Sequence, residues 1–225
     1  MDLIICLREL DTLAPAIIHQ TRVAIRTIQS YLETFDDVLT HKYVREFHDW
    51  LRELHKSLTQ IRNLDVFSEL ISTNKVTLVN REFVIEEITR QRAFEVSIIK
   101  PKLTPELVMG YVHAIEIFQS SLPIRNQVSS MKTRAQNRLL VSELDKHWKI
   151  FQSNYKKSRI RPSPRRRHKL RISAKNVRYV YELSRRMQMP EHPKRLARVI
   201  ELQDTLGVKN DVYTFYKWLR TIAPD

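Results

Sequence analysis

HKLRISAKNVRYVYEL, residues 168–183, is the stretch that decides the fold class. A helix advances about 100° per residue, so His168, Arg171, Lys175 and Arg178 fall within one arc of about 80°. Leu170, Ala174, Val177 and Tyr181 border that arc on one side, and Ile172 and Leu183 on the other. A basic stripe with apolar side chains on both flanks is expected to face a groove rather than open solvent.

The same pattern stands earlier in HQTRVAIRTIQSYLETF, residues 19–35, where His19, Arg22 and Arg26 repeat the arrangement and Gln29 takes the place of Arg178. Both copies read H-x-x-R-[VI]-x-x-[RK]. Apolar residues flank the first copy too, Ile18 and Ile25 on one side and Val23 on the other. Each copy carries a glutamate seven residues on, Glu33 and Glu182, and each is followed about forty residues later by a related segment. These segments are LTQIRNLD, residues 58–65, and LGVKND, residues 206–211. The chain reads as one domain of two diverged helical halves, about 1–120 and about 121–225, joined near residues 155–164.

Outward from these copies the helical period continues, in Ile18, Ile25, Ile28, Leu32 and Phe35 and again in Leu139, Leu140, Leu144, Trp148 and Phe151. Prolines punctuate the helices. Pro101 and Pro105 mark a turn, Pro123 ends a helix, Pro162 and Pro164 form a linker, and Pro190 and Pro193 a loop. Eight to ten helices are expected. Residues 74–99 are the least helical, because Val76, Thr77, Val79, Phe83 and Val84 raise β-propensity, but no hairpin signal accompanies them and a helix is expected there too.

A third basic stripe is expected around Trp50, from His41, Arg45, His48, Arg52 and His55 with Lys56 beside it, opposite an apolar face of Phe47, Leu51, Leu54 and Leu58. The segment from Lys156 to Arg178 adds Lys157, Arg159, Arg161, Arg165, Arg166, Arg167 and Lys169 and contains no acidic residue. Cations packed this closely repel unless counter-anions neutralise them, and phosphate suits both the forked guanidinium and the point charge of lysine. The formal net charge of +14 points the same way. A polyanion is the expected partner.

Other residues read as architecture. His19 and His168 suit a structural role as well as ligand contact, and no metal is expected at either, since no second ligand stands at i+4 and no cysteine accompanies them. Asn63, Asp65, Asn210 and Asp211 are expected in caps and turns, and Gly207 in a left-handed helix C-terminus. The chain has only two glycines, too few for a glycine-rich phosphate loop, and its single cysteine excludes an internal disulfide. No stretch approaches the about 18 apolar residues needed to span a bilayer. A cytoplasmic protein without a membrane partner is expected.

HKLRISAKNVRYVYEL with LQDTLGVKNDV, residues 202–212, resembles the C-terminal half of CHAD domains, the conserved histidine α-helical domain family. HQTRVAIRTIQSYLETF with LHKSLTQIRNLDVF, residues 54–67, resembles the first half. The likeness covers about residues 17–70 and 165–220, and the four segments are specific by their order and spacing together. It implies an all-α, compact helical bundle of two pseudo-symmetric halves whose basic residues line a central groove or pore that binds inorganic polyphosphate. Gln29 departs from the base that the family often has there, and Asn63 from an aspartate. No ExExK strand motif of the triphosphate-tunnel domains that often accompany CHAD domains is present.

The candidate polyphosphate-binding residues are His19, Arg22, Arg26, Arg45, Arg52, Lys56, Arg134, Arg138, Arg167, His168, Arg171, Lys175 and Arg178. Arg165 and Arg166 are expected outside the groove. Nucleic acid is the competing partner, but its bases would call for aromatic residues interleaved with the basic ones, and the aromatics here fall mostly at core positions, Tyr179 excepted. Phosphoryl chemistry would need carboxylates holding a metal, or a nucleophile with its base. Glu33 and Glu182 are better placed to orient arginines, so no catalytic residue and no cofactor are expected.

Overall fold

The computed structural model describes residues 3–34, 42–120, 133–186 and 193–222. Nine α-helices and two short 3-10 turns, with no strand, make up the described residues, an all-α fold as the period of the apolar positions requires. In order these are α1 (Leu3–Arg8), a 3-10 turn (Leu10–Thr12), α2 (Pro15–Thr34), α3 (Lys42–Ser57), α4 (Thr59–Ser72), α5 (Arg81–Ile99), a second 3-10 turn (Lys100–Lys102), α6 (Pro105–Ser120), α7 (Thr133–Ile160), α8 (Pro164–Arg186) and α9 (Pro193–Ile222). Proline opens α2, α6, α8 and α9, where its missing N–H would have no helical partner anyway.

The chain divides into two compact units, one of residues 1–29, 40–124 and 211–225, the other of residues 30–39 and 125–210. In the first, α4 and α5 form an antiparallel hairpin around Leu64, Phe67, Leu70, Ile71, Val84 and Ile88, closed by Phe215 from the end of α9. Phe67 meets Phe215 edge to face with ring centroids 5.5 Å apart. Of the β-like residues read from the sequence, Val76 lies in the connection between α4 and α5 against the core, Thr77 and Val79 are exposed there, and Phe83 and Val84 lie in α5. Val76 and Leu78 pack against this core from an irregular loop, so their branched chains answer burial and not strand pairing. Asn74 turns the chain at φ 52°, and the Asn80 side chain caps α5 by accepting from the Phe83 N–H at 3.2 Å.

The buried ion pair of the first unit runs between Asp65 and Arg92, Nε to Oδ1 at 2.6 Å, and Arg92 also donates through Nη2 to the Leu13 carbonyl at 2.8 Å. Asp65 therefore corrects the expectation of a cap. It lies inside α4, 7% exposed, and its partner is on another helix. Asn63 is likewise within α4, and Asn210 and Asp211 lie inside α9. Gly207 is also helical, and no glycine has a positive φ, so the expected left-handed terminus is absent.

In the second unit α7 and α8 form an antiparallel hairpin across the Arg161–Ser163 bend, with part of α9 against it. Leu170, Ala174, Val177 and Tyr181 of α8 are buried with Phe151, Val199 and Leu206, which is the apolar flank read from the sequence. Asn154 of α7 donates to the Lys169 carbonyl at 3.5 Å. Pro123 and Pro190 lie outside the described residues.

Candidate functional site

The stripe on α8 is formed as expected. With Leu170, Ala174 and Val177 fixed in the seam, the 100° step brings Arg171, Lys175 and Arg178 to its edge, half-buried, while Arg167 and His168 near the N-terminal end are exposed. Arg178 donates from Nε to Glu182 Oε1 at 2.7 Å, so Glu182 orients an arginine as its spacing implied. Ile172 on the far flank is half-buried. The side chain of Leu183 lies outside the described residues.

The copy on α2 has the same spacing. Ile18 and Ile25 are fully buried, whereas Val23, expected to close the other flank, is 46% exposed. Arg22 donates through Nη1 to the His55 carbonyl at 2.7 Å and to Thr59 Oγ1 at 2.8 Å, tying α2 to the junction of α3 and α4. Arg26 donates to Gln29 Oε1 at 3.3 Å, and Gln29 is itself only 4% exposed. An arginine at position 29 would have to be buried, which is why a neutral amide stands there.

The third stripe meets the α2 copy at Arg22 and His55. On α3, Phe47, Leu51, Leu54 and Leu58 are buried as expected, and Arg45, Arg52 and Lys56 are exposed. Arg52 pairs with Asp49 at 3.3 Å on an open surface, a contact worth at most about 1 kcal/mol. His41 lies outside the described residues. Arg138 is exposed on α7, and Arg134 begins the same helix with its side chain outside the described residues.

A cation-lined cavity of about 380 Å³ opens at the tip of the α7–α8 hairpin, bounded by Asn154, Lys157, Arg165, Arg166 and Lys169. Its walls hold four cations and no carboxylate. Ser163 caps α8 by accepting from the Arg166 N–H at 3.2 Å, and Arg166 Nη1 donates back to the Arg161 carbonyl at 2.9 Å, which fixes the bend beside the cavity. Counted at 100° per residue, Arg165, Arg166 and Lys169 lie on the opposite flank of the buried α8 seam from Arg171, Lys175 and Arg178. The motif could not reveal this cavity, since it depends on Asn154 and Lys157 of the neighbouring helix. The unbroken run of cations was its one sequence signal.

Glu33 acts within the second unit, where its charge partly offsets the effect of burial on His147, whose pKa lies below the ordinary histidine value. Among the described residues no three His, Cys, Asp or Glu side chains converge to hold a metal ion. No helix there is long and apolar enough to cross a membrane.

A family model described as CHAD domain matches residues 7–220. The crystal structure of the CHAD domain from the plant Ricinus communis is similar, with a TM-score of 0.68 and 19% sequence identity over 98% of this chain and 77% of that one. No curated protein matches the sequence.

Proposed function

This chain belongs to the CHAD domain family, and from that premise we propose that it binds inorganic polyphosphate without catalysing its turnover. The observation that carries the reading is the arrangement of cations on the α7–α8 hairpin. One flank of α8 presents Arg167, His168, Arg171, Lys175 and Arg178, and the other opens into a cavity walled by four cations and an amide. Polyphosphate offers one negative charge or more per phosphate and oxygens that accept from guanidinium and ammonium alike, so it answers both surfaces at once. His19, Arg22 and Arg26 of α2, Arg45, Arg52 and Lys56 of α3, and Arg134 and Arg138 of α7 complete the proposed contact set.

Binding of this kind releases counterions, so affinity falls as salt rises, with a log–log slope of about −0.7 per phosphate neutralised on a flexible strand. The experiment is calorimetric titration at physiological salt with long-chain polyphosphate, inorganic triphosphate and single-stranded RNA of matched charge. Long-chain polyphosphate is expected to bind at least tenfold more tightly than either. RNA binding of equal strength would replace polyphosphate as the partner.

A further inference from the structure

A second cavity in the second unit is built for a different ligand. On α7, Trp148, Phe151 and Tyr155 stand at helical spacing, with ring centroids 5.3 and 6.1 Å apart. Phe151 belongs to the core, but Trp148 and Tyr155 are only half-buried, so each keeps part of its ring available. Arginines lie over both. Arg195 of α9 is 5.2 Å from the Trp148 centroid, and Tyr155 has Arg198 of α9 at 5.9 Å and Arg159 of its own helix at 6.0 Å. A cavity of about 440 Å³ is walled by the three rings and Arg198 with Gln152, Glu201 and Thr205. That volume lies in the range of small-molecule sites, about 300–1,000 Å³.

The two cavities separate by chemistry. A bare phosphate chain gains nothing from aromatic faces and is repelled by Glu201, so the cation-lined cavity at the hairpin tip suits it and this one does not. A base carrying phosphate uses every group here. Its ring stacks on Tyr155 or Trp148, its amino and carbonyl edge meets Glu201, Gln152 and Thr205, and Arg198, displaced from the Tyr155 face, turns to its phosphates. We propose that this pocket binds a nucleotide, either free or as a unit of a single strand, at a site separate from the proposed polyphosphate surface.

The test is titration of the full chain with ATP, inorganic triphosphate and single-stranded oligoadenylate, repeated on Tyr155→Ala and on Arg198→Glu. Position 198 is exposed, so the second variant leaves the core intact if the first fails to fold. ATP is expected to bind at least tenfold more tightly than triphosphate, and each folded variant to lose at least tenfold in ATP affinity. Oligoadenylate binding more tightly than ATP with the same sensitivity to substitution supports the pocket with a strand as its source. Equal binding supports it with the free nucleotide. ATP no tighter than triphosphate, or no loss in the variants, overturns the proposal. Long-chain polyphosphate titrated alongside keeps the two readings apart. Its affinity is expected to change less than threefold in Tyr155→Ala, and a parallel loss of both ligands would overturn a separate site, whereas ATP binding without polyphosphate binding would overturn only the earlier reading.

Discussion

The two units use their charged side chains in different ways. In the first, Arg22 is bonded to the His55 carbonyl and Thr59, Arg92 to Asp65 and the Leu13 carbonyl, and Arg81 to the Ile71 carbonyl at 3.1 Å. These cations hold helices together. In the second, the helices are held by the apolar seam of Phe151, Leu170, Ala174, Val177 and Val199, and the cations of the hairpin tip line a cavity. The contrast is between arginines that bond across helices of the first unit and the cations gathered at the hairpin tip of the second.

The largest effect that would break this comparison concerns the buried pair. Asp65→Ala leaves Arg92 without its carboxylate and is expected to destabilise the first unit by about 3–5 kcal/mol, read by urea denaturation. Arg165→Ala, at an exposed position of the second unit, should shift stability by no more than about 0.5 kcal/mol. Similar losses from the two substitutions would erase the distinction between holding and ligand-facing cations.

A smaller effect sharpens it within the second unit. Burial holds the His147 imidazole below the ordinary value of 6.5, with Glu143 and Glu33 pulling it back up and Lys146 adding to the fall. The fold therefore favours the neutral ring, while the unfolded chain takes up a proton first as pH falls. The stabilisation is complete above pH 6.5 and is lost as pH drops through the lower, folded value. Urea midpoints at pH 7.5 and 5.5 are expected to differ more for the native chain than for His147→Gln, and an identical difference would mean that burial of His147 does not couple to folding.

The sequence carried the helices and the repeat because both depend on periods within one segment. Leu170, Ala174, Val177 and Tyr181 are buried as their spacing demanded, and Glu182 reaches Arg178 one turn away. Expectations failed where local preference competed with a distant partner. Asp65 favours caps in isolation, but Arg92, 27 residues on, draws it into a buried pair inside a helix. Gly207 favours a helix end, yet α9 runs through it. Val76 in the loop before α5 is strand-like because it packs onto the α4–α5 core, while Val79 is exposed. The candidate site was legible as a stripe and as a run of charge. Its cavities were not, because each needs side chains from two helices, and only the packing shows which of them face each other. The aromatics shared this fate, since Trp148 and Tyr155 occupy core-like positions on α7 and Arg195 and Arg198 reach them from α9.

The most direct test of the account is the affinity of long-chain polyphosphate for two matched double variants, Lys169→Ala with Lys175→Ala on α8 and Arg22→Ala with Arg26→Ala on α2, measured by calorimetry at physiological salt. The account predicts that the α8 pair loses at least tenfold more affinity than the α2 pair and lowers the magnitude of the salt slope by about 1–2. Equal losses, or a larger loss from the α2 pair, would contradict it.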